Sequence, residues 1–548
     1  MSSLSTRIEA SRYLLGLEKK YPHFKELSKD NIESLIDQIF KSINDFQIDD
    51  SQINDSQLNE QALQDAEQEL IKFKAEFSYL WCLAELQNIN TQQQRGYWQT
   101  LFAELTIELA LSIAWASIAS KNKALEGLLK QHDGVMPGLF IFGMGKLGGQ
   151  DLNFSSDVDL IAYFDPSVLP VPDMQGKSYV CHQVLQKLTQ ILNQSGNTNF
   201  IWRVDWRLRP NASATTLAMS TAAAQDYYYY RASPWHRLAL MKARVIAGDK
   251  QLGQYFLDDL SSFIWRQNLD YRALDELAEI KQKINLEHPS LRTQRQWREP
   301  IVDEIEGLNI KLGSGCIREI EFIANALQLV WGGRKFELRV PNTVSALIEL
   351  GSNEHIEDEA VSKLISSYQF LRRVENAIQM FENLQTHLIP KSDEHKQKLL
   401  TLLNIDSWAE LVSQINDTRR FVNDRFEVLF ADQAAAQCSV PVWPEELSVQ
   451  AQEIIQSWED GYHIYGVSNE VRHRLLPLSS ALSNYLINNK SDVNKTVIRL
   501  HDFFRSLPKG EQYFRLLANS PELLDKVCLL YTSPSPRDLS TSRMPSSA

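Results

Sequence analysis

Two aspartates separated by one residue form the clearest chemical signal in the sequence. Asp157 and Asp159 lie at the start of the strand-like run Val158–Tyr163, so both carboxylates are expected on the same face of a strand. Two carboxylates this close repel each other, and the arrangement becomes favourable when they share divalent cations. The spacing therefore predicts a metal site for Mg²⁺ or Mn²⁺.

A glycine-rich segment comes just before the aspartate pair. Gly143, Gly145 and Gly148 follow a predicted strand, and glycines allow the backbone to approach phosphate oxygens closely with its N–H groups as donors. Ser155 and Ser156, directly before Asp157, can add hydroxyl contacts or cap the turn. The segment is thus predicted to hold the phosphates of a nucleotide or a phosphate ester.

A third carboxylate lies in a second strand-like run, Phe200–Arg207. Asp205 would reach the metals if this strand pairs beside the first one. Arg207 and Arg209 alternate with Asp205, so they are expected on its face, where guanidinium groups can bind phosphate oxygens with two hydrogen bonds. Three aspartates on adjacent strands next to a Gly-Ser loop favour two-metal nucleotidyl or phosphoryl transfer.

Two other interpretations compete with that one. The three glycines also fit the dinucleotide-binding pattern G-x-G-x-x-G, which requires a full helix before the next strand. Only eight residues, Gly149–Ser156, are available for it, so this interpretation fails on geometry. A D-x-D pair on a strand is also frequently just a solvated edge, but the glycine loop before it and D-x-R-x-R after it favour catalysis.

The surrounding pattern predicts an α+β protein that is mainly helical. A breaker cluster at Asp133–Gly138 separates an N-terminal helical region from a block with strands at Leu139–Phe142, Val158–Tyr163 and Phe200–Arg207 and a helix at Tyr179–Asn193. The expected domains are an N-terminal helical region (1–132), the transferase core (133–250), a helical domain completing the cleft (251–435), the start of a helical linker (436–528) and a non-native tail (529–548).

Amphipathic periodicity places further elements around the core. The clearest helical runs are Glu69–Asn88, Leu274–Glu287, Ile317–Trp331, Asp358–Leu384 and Trp408–Phe430. Polar residues at Asp49–Gln61 predict a loop between two helices. Residues 529–548 are rich in serine, proline and threonine and are typical of translated sequencing adaptor, with a genuine disordered tail as the alternative.

Composition excludes several function classes. The net charge of −13 disfavours broad binding to DNA or RNA, which needs a basic surface. The five cysteines are scattered without a C-x-x-C pair, a distribution that suits a reducing cytoplasm and makes a structural zinc site improbable. The apolar stretch Leu109–Ala119 is too short to span a bilayer, and no export signal is visible, so a cytoplasmic protein without membrane contact is expected.

The chemistry-bearing motifs resemble one known family. A run starting at Gly143 closely resembles the catalytic signature of glutamine synthetase adenylyltransferases, G-M-G-K-L-G-G-x-x-L-N-F-S-S-D-V-D-L-I. These enzymes belong to the DNA polymerase β-like nucleotidyltransferase superfamily. Further motifs follow in the family's order: R-V-D-W-R-L-R-P (Arg203–Pro210), M-K-A-R-V-I-A-G-D (Met241–Asp249), N-I-K-L-G-S-G-C-I-R-E-I-E-F (Asn309–Phe322) and L-R-R-V-E-N (Leu371–Asn376).

The resemblance implies an activity. Members carry two catalytic domains joined by a helical linker: the N-terminal one removes AMP from a tyrosine of glutamine synthetase by phosphorolysis, with phosphate consumed and ADP released, and the C-terminal one adds AMP from ATP. The helices before the signature and the I-R-E-I-E-F segment after it resemble the removing domain, and no second signature follows residue 250. The family also implies the PII signal protein as a regulator.

Family roles then carry over to matching residues. The resemblance implies that Asp157, Asp159 and Asp205 ligate the metals and that phosphate is held at Gly143, Gly145, Ser155 and Ser156, with further contacts from Lys146, Asn153 and Arg207. Arg318 and Glu321 lie on one polar stripe of the helix that begins at Ile317 and are expected to border the active cleft and contact the nucleotide, with a solvated helix face as the alternative. Lys146 has the alternative of being a solvated loop lysine. A different polymerase β-like transferase, or a catalytically inactive regulatory scaffold, remains the alternative to the whole assignment.

Overall fold

A computed structural model of the chain describes residues 3–27, 31–46, 56–120, 125, 127, 129, 135–169, 174–193, 200–266, 304–430, 443, 447–460 and 493–506. Contacts between residues divide the chain into two units, 1–426 and 427–548, and each is described by itself. The predicted helix Leu274–Glu287 and the tail 529–548 lie outside the described residues, as does most of the predicted linker region.

Helices fill the chain before the sheet. They are α1 (Leu4–Glu9), α2 (Arg12–Lys20), a 3₁₀ turn (Pro22–Glu26), α3 (Ile32–Asp45), α4 (Ser56–Gln87) and α5 (Gln92–Ala119). Phe77 of α4 stacks on Phe102 of α5 with ring centroids 4.2 Å apart. The loop prediction for Asp49–Gln61 was wrong at its end, because α4 begins at Ser56: helix-compatible residues such as Gln57, Leu58 and Glu60 outweigh the local polarity.

Helix α5 also corrects the sequence analysis. The apolar stretch Leu109–Ala119 belongs to a 28-residue helix, and by length and composition alone this helix is able to cross a membrane. The length of the apolar stretch was underestimated because Glu108 and Glu104 interrupt it, although apolar residues such as Phe102 and Ile107 continue the helix toward its N-terminal end at Gln92. In the structure, 67% of the most apolar 18-residue stretch of this helix is buried, and the helix packs against α3, α4 and the sheet domain.

A small mixed sheet forms the centre of the first unit. Its strands are β1 (Leu139–Gly143), β2 (Asp157–Phe164), β3 (Arg203–Asp205), β4 (Ala218–Ser220) and β5 (Arg244–Gly248). The order is β3-β2-β1-β5, and β4 pairs with the far end of β2. β1 is antiparallel to β2 and β5, whereas β3 and β4 run parallel to β2.

The segment between β1 and β2 decides against dinucleotide binding. It contains a single four-residue helix, α6 (Gly145–Gly148), and β2 returns antiparallel to β1. A dinucleotide fold requires a long crossover helix and a parallel second strand. The exclusion made from the eight-residue spacing is therefore confirmed.

Further helices cover the sheet and continue the chain: α7 (Met174–Asn193), α8 (Thr221–Tyr230), α9 (Pro234–Leu240), α10 (Lys250–Asp259), α11 (Ser261–Ile264), α12 (Ile317–Trp331), α13 (Thr343–Ser352), α14 (Asp358–Gln379), α15 (Asp393–Leu403) and α16 (Trp408–Phe430). In the second unit, α17 (Val449–Asp460) packs against α18 (Val493–Ser506). The prediction of a mainly helical α+β protein with a small mixed sheet is confirmed.

Three predicted boundaries differ from the structure. The strand predicted over Phe200–Arg207 is limited to β3, because Trp202 turns into the core, where its indole N–H donates to Thr106 Oγ1 at 2.9 Å, and turns follow Asp205. The helix predicted over Asp358–Leu384 ends at Gln379. The helix predicted from Tyr179 begins five residues earlier, at Met174.

Gly148 provides a test of how closely the backbone packs around the glycine segment. A Cβ there would lie 1.8 Å from the carbonyl oxygen of Lys242 and 2.5 Å from that of Gly143. Because both obstacles are backbone, Gly148→Ala should lower the free energy of unfolding by about 3 kcal/mol. Gly16, exposed in α2 with nothing within 4 Å of its Cβ position, is the control: Gly16→Ala should raise it by about 0.5–1 kcal/mol. Urea unfolding of both variants checks this, and equal effects would contradict it.

Candidate functional site

Parallel pairing of β2 with β3 brings the three aspartates together. The register places Asp159 opposite Asp205 and Asp157 opposite Arg203. Asp157 also accepts a hydrogen bond from the amide of Gln385, which lies in the segment after α14. The predicted approach of the third carboxylate to the pair therefore agrees with the observed strand order.

The pKa of Asp159 reflects the closeness of the other two carboxylates. Burial, together with the charges of Asp157 and Asp205, raises the pKa of the Asp159 carboxyl group to about 7. Lys311 and Arg207 act in the opposite direction but do not compensate. A carboxylate pair with this mutual repulsion is stabilised when a cation or a basic group comes close.

The negative charge of Asp205 is balanced by Arg207, which follows the end of β3. Arg207 Nε donates to Asp205 Oδ1 at 3.0 Å and to Oδ2 at 2.8 Å, and the backbone N–H of Arg207 donates to Oδ1 at 2.8 Å. Burial raises the pKa of Asp205, but these hydrogen bonds outweigh it, so the pKa lies below its usual value. The Arg207 side chain is 85% exposed and is thus accessible to a ligand that competes for it.

The site fits a divalent cation in its chemistry but is not arranged as a finished ligand set. Among the described residues, no three carboxylate, imidazole or thiol groups lie close enough together to hold a metal ion. Gly145, however, has a φ of +52°, and a Cβ on it would lie 2.7 Å from Asp159 Oδ2. The glycine thus keeps the space over this carboxylate free, and the three oxygen-ligand groups are the type that Mg²⁺ and Mn²⁺ prefer.

The other predicted phosphate-binding positions differ in accessibility. Gly143 ends β1 inside the sheet, and a Cβ there would lie 2.9 Å from both Ile246 Cγ2 and Leu147 Cγ, so packing already explains this glycine. Ser155 is 2% exposed, and its hydroxyl and carbonyl oxygens accept from Arg203 at 2.9 and 2.6 Å. Ser156 is half-buried directly before β2. Their roles toward phosphate stay predictions.

Lys146 lies inside the protein and does not behave as a solvated loop lysine. Its ammonium donates to Asn153 Oδ1 at 3.3 Å and pairs with Glu375 Oε2 at 3.4 Å, and its side chain is 13% exposed. Burial lowers the pKa of Lys146 to about 8, against the opposing charge of Glu375. Asn153 is also buried, so these two residues support the glycine segment from the protein interior.

Helix α12 contributes one predicted residue to the same interior cluster. Glu321 accepts from the hydroxyl of Tyr368 at 3.2 Å, and although burial raises its pKa, the charges of Lys146 and Lys242 lower it overall. Arg318, half-buried one turn earlier, uses its backbone N–H to donate to Lys311 O at 3.0 Å. Glu321 therefore lies beside Lys146, while a role for Arg318 in the cleft stays a prediction.

Arg209 is bonded within its own loop, although its charge still helps to lower the pKa of Asp205. Because β3 ends at Asp205, the alternation expected along a longer strand does not continue. The guanidinium of Arg209 donates to the carbonyl oxygens of Trp206 at 2.8 Å and Ala212 at 2.6 Å, which closes its own loop. Its phosphate-binding role stays a prediction. For that role the guanidinium would have to give up its hydrogen bonds to the loop.

Sequence reasoning missed several residues that the structure brings to the site. Arg203, opposite Asp157, binds Ser155, and its alternation with Asp205 was a usable signal. Lys311 falls in the Asn309–Phe322 motif, which was recognised as a family feature but gave this lysine no role, whereas no local pattern indicates Gln385. Arg372 and Glu375 fall in the L-R-R-V-E-N motif, which was recognised as a family feature but given no role.

Two family models match consecutive parts of the chain. Residues 2–259 match the family described as glutamate-ammonia ligase adenylyltransferase. Residues 279–430 match the family described as GlnD PII-uridylyltransferase. The first match contains the whole sheet and the three aspartates, and the second contains α12 to α16.

Curated proteins similar to this chain share one description, bifunctional glutamine synthetase adenylyltransferase/adenylyl-removing enzyme. The protein of Agrobacterium fabrum is 31% identical over 481 residues, which is 84% of this chain and 47% of the relative. That of Rhizobium meliloti is 31% identical over 496 residues (86% and 49%), and that of Mesorhizobium japonicum is 33% identical over 423 residues (73% and 42%). The chain spans about half the length of the curated relatives it matches.

Gly145 offers a test of the space over Asp159. In Gly145→Ala the new Cβ would displace the Asp159 carboxylate and would hold an alanine at positive φ, which costs about 1–2 kcal/mol. We expect Mn²⁺ affinity, measured by electron paramagnetic resonance titration, to fall by at least about tenfold. Gly16→Ala should leave this affinity unchanged. Unaltered Mn²⁺ binding by Gly145→Ala would show that no ion approaches Asp159 there.

Proposed function

We propose that this protein is a polymerase β-like nucleotidyltransferase that removes AMP from the adenylylated tyrosine of glutamine synthetase by phosphorolysis. The observation that carries the proposal is the register of β2 and β3, which places Asp159 opposite Asp205 beside the space kept free by Gly145. The similarity to adenylyltransferase/adenylyl-removing enzymes supports the choice of substrate. Phosphate would enter the reaction, and ADP and unmodified tyrosine would leave it.

Asp157, Asp159 and Asp205 would hold Mg²⁺ or Mn²⁺. Such ions orient the phosphoryl group and neutralise the charge that develops during transfer. Asp205 would have to exchange at least part of its contact with Arg207 for this task, because both of its oxygens now accept from that guanidinium. Inorganic phosphate is already anionic near neutral pH, so no aspartate is required as a general base.

Local cations would bind the anionic reactants in an otherwise acidic protein. The charges of Arg207 and Lys311 both act on Asp159, so both side chains lie near the reacting centre. Arg207 is mostly exposed and, once released by Asp205, has a planar group suited to phosphate oxygens. Lys146 would act from the interior, by supporting the glycine segment through Asn153.

The direction of the reaction is inferred from the order of elements. Helices α1 to α5 precede the signature, and α12 carries the I-R-E-I-E-F motif that resembles the removing domain. Adenylylation with ATP would belong to a second catalytic domain of the longer relatives. We further propose a cytoplasmic enzyme regulated by the PII signal protein, since the description of the family that matches residues 279–430 also contains the name PII.

Loss of one metal ligand should abolish the reaction without unfolding the protein. Asp157→Asn keeps the size of the side chain and its contact with Gln385 but removes the charge, so ADP formation should fall by orders of magnitude. Asp226→Asn, an exposed change on α8, is the matched control and should retain activity. Full activity of Asp157→Asn, or of the native protein in excess chelator, is incompatible with metal-dependent transfer.

The direction of transfer has its own test. The purified chain should form ADP from adenylylated glutamine synthetase, phosphate and Mg²⁺, because its single signature resembles the removing domain. It should transfer little AMP from ATP to unmodified glutamine synthetase. Both reactions are followed by quantifying ADP and pyrophosphate. Robust pyrophosphate release with the unmodified substrate would instead assign the chain to adenylylation.

A further inference from the structure

Helix α14 carries an unusual row of buried polar side chains. Tyr368, Arg372, Glu375, Asn376 and Gln379 follow the spacing of one helical face, and each is at most 1% exposed. Burying so many polar groups is costly unless every one finds a partner, and apolar residues would pack a helix more cheaply. Their partners therefore indicate what the helix is for.

All five side chains contact either the glycine loop or the segment that connects it to β2. Arg372 donates to Asp151 through Nη1–Oδ2 at 2.7 Å and Nη2–O at 2.9 Å, and the Tyr368 hydroxyl binds the same carboxylate. Glu375 pairs with Lys146 at 3.4 Å. This half of the row fixes the first turns after the glycine loop.

The second half of the row accepts hydrogen bonds from the backbone directly before β2, the strand that carries Asp157 and Asp159. The N–H of Phe154 donates to Asn376 Oδ1 at 3.4 Å, and the N–H of Ser155 donates to Gln379 Oε1 at 3.0 Å. Ser155 is two residues from Asp157. A side-chain acceptor is thus placed where the turn must end for β2 to begin in the correct register.

The end of α14 is itself anchored. The Ser11 hydroxyl donates to Met380 O, the N–H of Tyr13 donates to Phe381 O at 3.1 Å, and Arg12 pairs with Glu382 at 2.8 Å. Residues 11–13 therefore fix the C-terminal turn that carries Gln379. A helix held in this way has little freedom to shift against the turn it supports.

We infer that Gln379, with Asn376 and Arg372, acts as a positioning residue that sets the direction in which Asp157 and Asp159 present their carboxylates to the metal. The inference rests on the proposed function for the identity of the metal site. It goes further by assigning a task to the helical region after residue 251: α14 is the support from which the metal ligands take their geometry. Groups that support metal ligands typically alter metal affinity when they are removed.

Gln379→Met tests the inference. Methionine has a similar length but no acceptor oxygen, so the N–H of Ser155 loses its partner while the volume is retained. The amide nitrogen of Gln379 has no hydrogen-bond partner among the described residues, so its removal offsets part of the cost and the protein should still fold. Mn²⁺ affinity should fall by about tenfold or more, and amide hydrogen exchange over residues 153–157 should accelerate.

Gln328→Met is the matched control. Gln328 is also a buried helical glutamine, 2% exposed, and it donates to Leu338 O and Val340 O, both at 2.7 Å, away from the aspartates. This variant should lower the melting temperature at least as much as Gln379→Met and leave Mn²⁺ affinity unchanged. If both variants weaken Mn²⁺ binding equally, or neither does, Gln379 has only a structural role and the inference is overturned.

A second variant covers the case in which Gln379→Met does not fold. Asn376→Leu removes the acceptor for Phe154 and should weaken Mn²⁺ binding in the same direction, while normal Mn²⁺ affinity in a folded Asn376→Leu overturns the inference. Mn²⁺ binding and hydrogen exchange do not depend on turnover. Absence of ADP formation by the native protein would therefore contradict the proposed function, and only the affinities and exchange rates decide on α14.

Discussion

Electrostatic repulsion between carboxylates on two paired strands is the constraint on which the rest of the structure depends. The β2–β3 register sets Asp159 against Asp205, with Asp157 two residues away, and the pKa of Asp159 rises accordingly. Such a cluster cannot be buried in an apolar core, and it cannot be left to adjust freely if it is to bind a cation. The surrounding elements supply what it needs: Arg207 as a counter-charge, Gly145 as free space, and a rigid support behind the turn.

The parts that could be predicted from sequence are those with local causes. The D-x-D spacing fixes two carboxylates on one face by strand geometry alone, and eight residues between Gly148 and Asp157 exclude a crossover helix by length. Alternation and turn residues located β1 and β2 well. Where a turn interrupts the alternation, the prediction failed: β3 ends at Asp205, and Arg209 donates to backbone carbonyl oxygens of the loop that follows.

The parts that escaped prediction have long-range causes. Arg372 and Asp151 are 221 residues apart in the chain, and Gln385 reaches Asp157 across 228 residues. No periodicity or spacing within either segment specifies the other. A charged or polar residue on an amphipathic helix is most simply interpreted as solvated, and only the partner segment shows that Arg372, Glu375 and Gln379 are interior.

Three parts of the chain that are far apart in sequence support the turn before β2. The sheet supplies the carboxylates, but the hydrogen bonds that hold their turn come from α14, and α14 is in turn held at its end by residues 11–13. The N-terminal helices, the sheet and the later helices therefore converge on one short segment, residues 146–155. Since a buried charge network loses several partners when one is displaced, these three parts are expected to act as one unit. A domain boundary at residue 250, predicted from the change of sequence pattern there, would separate the sheet from the helix that supports its metal-binding turn.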